Sequence, residues 1–183
     1  MNPNRYQIIS GIVLITLASV MKAATFPYSI NPIIAISLFS GVVISDKKWA
    51  LTMPIIAMFG SDLMLELFKI APGFYGYGQI GNYICLMMVT VLGFAMRKIN
   101  VLNVTFFSIG ASILFFLLSN TNCYLFDETG FYGTGISGWI NCLIAGIPFV
   151  KKGIITDLSF SAIIFGANYY STKWLMKTQT AEL

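Results

Sequence analysis

Apolar residues in this chain come in long runs, and polar residues gather where the runs stop. Six runs have the length and character of helices, at about 6–22, 32–45, 49–69, 80–97, 101–119 and 153–171. About 20 apolar residues in a helix cross the hydrocarbon core of a bilayer, so these runs read as membrane spans, the second of them short. A further apolar run, 136–150, suits a re-entrant or interfacial segment better than a span. Pro32 opens the second run, at a position where a helix tolerates proline. A polar turn with Lys47 and Lys48 precedes the third, and 72–83 is rich in Gly and Tyr and reads as a loop. The expected fold is an all-α integral membrane protein, a single polytopic domain over 1–183. It has six transmembrane helices plus a short re-entrant or interfacial segment near 136–150.

The third run breaks the pattern from within. It carries Asp62 and Glu66, four residues apart and so on one helix face, with Ser61 beside them and Lys69 three residues on. An ionised carboxylate in hydrocarbon is costly, and such residues usually face a bundle interior or a water-filled cavity. Asp62 therefore points to a polar pocket. Glu66 reads either as part of that wall or as half of an interfacial ion pair with Lys69. Asp157 falls in the first turn of the last run, where it can cap the helix or meet a ligand. Lys22 ends the first run, as a snorkelling lysine or as a counter-ion for Asp62 or Asp157. Asn120 and Asn122 end the fifth, as caps or as hydrogen-bonding groups for a ligand. Tyr75, Tyr77, Tyr83, Tyr124, Phe131, Tyr132 and Trp139 lie near run ends, which fits an interfacial aromatic belt with one or two rings left to stack on a flat ligand.

Composition sharpens the class. The chain is 57% hydrophobic and 10% charged, with mean hydropathy +0.79, too apolar for a soluble domain. Its net charge of +4 fits loop lysines facing cytoplasm and lipid headgroups, and no nucleic-acid partner is expected. With no histidine, His general bases, His metal ligands and Ser–His or Cys–His pairs are excluded. Cys85, Cys123 and Cys142 form no CxxC, so no metal site and no cofactor are expected; Cys123 and Cys142 are either free thiols or a disulfide. Lys22 spoils the cleavage context of a signal peptide, so the first run reads as a retained helix.

Basic residues suggest an orientation. With six spans and both termini inside, Arg5, Lys47, Lys48, Arg97, Lys98, Lys173 and Lys177 are cytoplasmic, against Lys22, Lys69, Lys151 and Lys152 outside; a seventh span at 136–150 gives the same seven-to-four count, so the clustering of polar residues, not charge, favours six. That arrangement places Lys22, Asn31, Asp62, Glu66, Asn120, Asn122 and Asp157 in the outer half, as one outward-facing pocket. Small-xxx-small pairs at Ser19/Ala23, Ser37/Gly41 and Ala162/Gly166 allow close helix contact.

Three stretches in order also carry a family pattern. The first is NPIIAISLFSGVVISDKKWALTMPIIAMFGSDL (31–63), the second SILFFLLSNTNCYLF (112–126), and the third YGTGISGWINCLIAGIPFVKKGIITDLSFSAIIFG (132–166). They resemble an uncharacterised group of small bacterial membrane proteins labelled as transport proteins. The layout of that group is similar to the substrate-binding S components of energy-coupling-factor (ECF) vitamin transporters. The resemblance implies a six-helix fold, an outward-facing pocket for a vitamin or cofactor precursor, and an energy-coupling transmembrane/ATPase module as partner. The positions that match are Asn31, Pro32, Ser61, Asp62, Asn120, Cys142, Pro148, Phe149 and Asp157. Lys22 stands where Arg is expected, and the Ala-xxx-Ala pair that docks the coupling module is missing from the first helix, which leaves room for a solitary transporter. The loop cysteine of solitary cobalamin-type components is also absent from 72–82.

The expected function is uptake of a small vitamin-like solute from the outer side of a bacterial cytoplasmic (inner) membrane, with the solute and membrane lipid as partners and no enzymatic activity. Asp62 and Asp157 would supply charge, with Lys22 and Glu66 beside them. Asn31 and Asn120 would supply hydrogen bonds, and Trp139 or a loop tyrosine stacking. The alternatives are a non-catalytic membrane assembly or scaffold protein and an intramembrane aspartyl enzyme, in which two carboxylates share a proton.

Overall fold

The computed structural model describes residues 3–25 and 30–181, with side chains over 13–25 and 30–173. The loop at 26–29 and the side chains of Arg5 and Lys177 lie outside the described residues. Among the described residues six helices follow in order: α1 (Pro3–Ala24), α2 (Ile33–Val43), α3 (Lys47–Leu67), α4 (Tyr77–Phe94), α5 (Val101–Leu125) and α6 (Gly135–Ala181). There is no strand among the described residues.

α2 is the centre of the bundle. Only 11 residues long, it buries Ile33 and then every residue from Ala35 to Gly41. It packs against α3, α4, α5 and α6, while α1 lies on α3. At about 1.5 Å per residue it is near 16 Å long, about half a bilayer core. Its apolar surface is covered by other helices, so it reads as a membrane span in sequence yet is spent on the core. α3, α4, α5 and the 135–173 part of α6 are long and apolar enough to cross a membrane. Several such helices in one small chain are compatible with a membrane location.

Local chemistry explains the boundaries. Asp46 caps α3, its side chain accepting from the backbone N–H of Lys48 at 2.8 Å and of Trp49 at 3.0 Å. Asn100 caps α5 through the N–H of Asn103 at 2.8 Å. Pro54 sits inside α3 and brings no N–H to the carbonyl of Ala50, four residues back. Ser40 of α2 donates its hydroxyl to that carbonyl at 3.0 Å, so the break in the ladder becomes a bond between helices. The backbones of α2 and α4 approach closely. A Cβ on Gly41 would lie 2.2 Å from the carbonyl oxygen of Thr90, and one on Gly93 would lie 2.6 Å from that of Leu38. Of the small-residue pairs, Ser37/Gly41 is the one that forms such a crossing.

Three expectations are corrected. The run 136–150 is neither re-entrant nor separate: it is the first third of α6, a continuous helix of 47 residues that packs along α5. Pro148 breaks one hydrogen bond without ending the helix, and Lys151 and Lys152 turn outward as exposed side chains. Asp157 consequently lies deep inside α6, not in a first turn. Asn120 and Asn122 do not end α5, which continues to Leu125. Both find partners sideways or back along the helix: Asn120 donates to the carbonyl of Phe116 at 2.8 Å, and Asn122 to that of Gly78 on α4 at 2.7 Å. The Gly- and Tyr-rich loop also ends earlier than expected, because Gly76 at φ 78° lets the chain turn into α4 at Tyr77.

Candidate binding site

The structure divides the expected polar pocket into two centres. The first surrounds Asp62, which is 1% exposed near the end of α3. Lys22 of α1 forms an ion pair with Asp62 Oδ1. Two side chains of α4 reach the other oxygen: Gln79 Nε2 donates to Oδ2 at 2.7 Å and the Tyr83 hydroxyl donates to it at 3.0 Å. Gln79 and Tyr83 are four residues apart, one turn of the same face. The carboxylate thus has an opposite charge and two donors, the full set that a desolvated anion needs.

This centre is strapped from outside by the loop between α3 and α4. The Gly73 carbonyl accepts from Gln79 Nε2 at 3.0 Å, and the Gly73 N–H donates to Glu66 Oε2 at 2.8 Å. A Cβ at residue 73 would fall 2.0 Å from the backbone oxygen of Asp62, so only glycine lets the loop lie this close. Glu66 is therefore a loop anchor. Burial raises the pKa of the Tyr75 phenol in the same loop; the hydrogen bond from Asn82 works against this and the charge of Asp62 adds to it.

The second centre is a cavity of about 630 Å³ between the start of α2 and the facing stretches of α5 and α6. The pairing of α5 with α6 frames it. Cys142 Sγ donates to the Asn120 carbonyl at 3.3 Å, and Gly146 lies against Asn120 and Phe116, its missing side chain leaving them room. Further along, the Ser112 hydroxyl donates to Asp157 Oδ2 at 2.7 Å. Between these contacts α5 advances eight residues (Asn120 to Ser112) and α6 eleven (Gly146 to Asp157). Over this stretch α6 advances three residues more than α5, about 4.5 Å of helix, and the cavity lies here beside Pro148.

Its lining mixes chemistry. Asn31, Ser119, Asn120 and Thr156 are polar, Phe115, Phe116 and Phe149 are aromatic, and Asp157, 3% exposed, lies at the floor with Ser112. Asn31 Oδ1 already accepts from the N–H of Ile33 at 3.2 Å, which turns its amide end toward the start of α2. Met58 of α3 lines the cavity and also receives the Lys22 ammonium at 3.4 Å, so it stands between the two centres.

Of the residues singled out in sequence, Asn31, Asn120 and Asp157 meet in the cavity. Lys22 and Asp62 pair outside it, Glu66 holds the loop, and Trp139 donates its indole N–H to the Thr121 hydroxyl at 3.0 Å. The carboxylates of Asp62 and Asp157 are held by side chains of different helices. Gln79, Ser112, Ser119, Phe115 and Phe116 escaped the sequence reading, whereas Phe149 was among the positions matching the family pattern. A polar i, i+4 stripe in an apolar helix was the available signal for Ser108/Ser112 and Asp157/Ser161. All three cysteines are free thiols, with Cys123 exposed. No group of three or more acidic, Cys or His residues suited to a metal occurs among the described residues.

Residues 2–179 match a family of unknown function, DUF6580. The chain belongs to that family. No curated protein and no solved structure matches it.

Proposed function

We propose that the protein is a membrane subunit or solitary transporter that binds a small, partly polar organic solute for uptake. The observation that carries this reading is the cavity between α2, α5 and α6. It is about 630 Å³, within the range of small-molecule sites, and it combines aromatic walls with a few convergent polar groups. Phe115, Phe116 and Phe149 offer flat apolar contact, Asn31 and Asn120 amide hydrogen bonds, and Asp157 fixes the polarity of the floor. A vitamin or cofactor precursor has this mixture of ring and polar substituents. The resemblance of 31–63, 112–126 and 132–166 to a group laid out like ECF S components supports the same reading.

The basic clusters at 47–48 and 97–98, counted as cytoplasmic, support an outward-facing mouth with cytoplasmic termini. A transmembrane/ATPase module is the partner this reading would need where the chain does not act alone. The test is thermal unfolding of the purified chain against a panel of water-soluble vitamins and their precursors. A ligand at about 100 times its Kd should stabilise by about 2.7 kcal/mol. Asn120→Leu, which removes an amide from the lining, should abolish the shift for the active compound. A panel that yields no shift, or a shift unchanged in Asn120→Leu, refutes the site.

A further inference from the structure

Among the described residues, the carboxylate at the floor of the cavity has no ion-pair partner. Asp157 is 3% exposed and accepts one hydroxyl hydrogen bond, from Ser112. Asp62, the other buried carboxylate, has an ammonium and two further donors. Lys152 lines the same cavity, but it is exposed and five residues from Asp157, a spacing that turns it off the Asp157 face of the helix. A desolvated carboxylate with a single neutral donor calls for an opposite charge.

The polar character continues below the pair. One turn further along each helix lie Ser108 on α5 and Ser161 on α6, both 1% exposed. The two helices run antiparallel, so the register that joins Ser112 to Asp157 sets Ser108 opposite Ser161 in the next layer. Neither of their hydroxyls has a hydrogen-bond partner among the described residues. Elsewhere in the chain Ser37, Ser61 and Ser159 donate to the carbonyl four residues back. Ser108 and Ser161 forgo that bond although burial denies them water. The buried residues of α5 are Ser108, Ala111 and Ser112, all small, which lets α6 approach closely at this level.

We infer that Asp157, Ser112, Ser108 and Ser161 form a site for a dehydrated sodium ion between α5 and α6, beneath the cavity. One carboxylate and three hydroxyls present only hard oxygen donors, which suit an alkali or alkaline-earth cation rather than a soft metal. A monovalent ion brings the site to zero net charge, whereas a divalent one would leave a positive charge in an apolar bundle. Ser112 lies twelve residues into the 25-residue α5, close to the middle of a helix long enough to span. Coupling ions of transporters bind at that depth. The site does not require that the cavity take a solute, so it stands or falls separately from the solute reading.

The experiment is thermal unfolding of the full purified chain in NaCl, KCl and choline chloride at constant ionic strength, with binding of radioactive sodium as the direct readout. The wild type should gain Tm saturably with sodium and not with choline. The Ser108→Ala/Ser161→Ala double variant should match or exceed wild-type stability in choline, because two unsatisfied hydroxyls are gone. In sodium its half-saturating concentration should rise at least about tenfold. Equal responses to the three salts, absence of sodium binding to the wild type, or an unchanged sodium response in the double serine variant overturns the proposal. Asp157→Asn should lose the response altogether; if it fails to fold, the serine variant and the binding measurement decide.

Discussion

Replacing Lys22 and Asp62 singly and together tests whether the ion pair between α1 and α3 organises the outer end of the bundle. Asp62 is 1% exposed and the Lys22 side chain 19%, so the pair is largely desolvated. Removing one partner of a buried pair leaves an uncompensated charge and costs about 3–5 kcal/mol. Lys22 keeps some contact with the surroundings, so Lys22→Met should fall at or below the low end, about 2–3 kcal/mol, with Gln79 and Tyr83 still donating to the carboxylate. Asp62→Asn should cost more, about 3–4 kcal/mol: the ammonium loses its acceptor, and an amide oxygen satisfies two donors less well than a carboxylate. In the double variant neither charge remains, so its cost should be close to that of Asp62→Asn alone. The expected coupling energy is therefore about 2–3 kcal/mol. For a chain of this size each kcal/mol moves Tm by about 2–4 °C, so Asp62→Asn should lower it by about 6–16 °C. The assay is a double-mutant cycle by denaturation in detergent micelles or nanodiscs. Additive losses, with coupling below about 0.5 kcal/mol, would show that the pair is incidental to the packing of α1 on α3.

Other outcomes follow from single contacts. Gly41→Ala should destabilise by about 1–3 kcal/mol, since its Cβ would lie 2.2 Å from a backbone oxygen of α4 that cannot move alone; calorimetric or fluorescence Tm checks it, and a neutral result would mean the crossing is looser than described. Gly73→Ala should push the α3–α4 loop off Asp62 and expose it to proteolysis at 68–76, because the hydrogen bonds to Glu66 and Gln79 cannot form around the new methyl; an unaltered cleavage pattern would contradict the strap. A maleimide should label one thiol per native chain, at Cys123, and three after denaturation, Cys85 and Cys142 being buried; two or more native labels would contradict the packing of α4 or α6.

The helical class was legible because hydrophobic run length is a local property, and α3, α4 and α5 each carry their own signal. Asp62 was legible as a buried carboxylate for the same reason: an acid inside an apolar run must be compensated somewhere. Its compensation by Gln79 was not, since Gln79 lies in a stretch whose glycines and tyrosines read as loop until Gly76 is seen to start α4. The ends of α5 and α6 were misjudged for a related cause. Asn120, Asn122 and Pro148 are helix-ending signals by propensity, yet hydrogen bonds to Phe116 and Gly78 satisfy the two asparagines, and packing along α5 carries α6 past the proline.

By itself the sequence determined that this is an apolar helical chain, that histidine chemistry is absent, and that a few acids and amides sit where lipid would not tolerate them alone. The tertiary structure decided which of those polar groups share a space. That division depends on register: α5 and α6 bring Asn120 and Asp157 to one cavity, while Asp62 turns to Lys22 and α4. Helix periodicity assigns a residue to a face but not to the neighbour it meets there. The neighbour is set by how far each helix has advanced along its partner, and no single run of sequence records that.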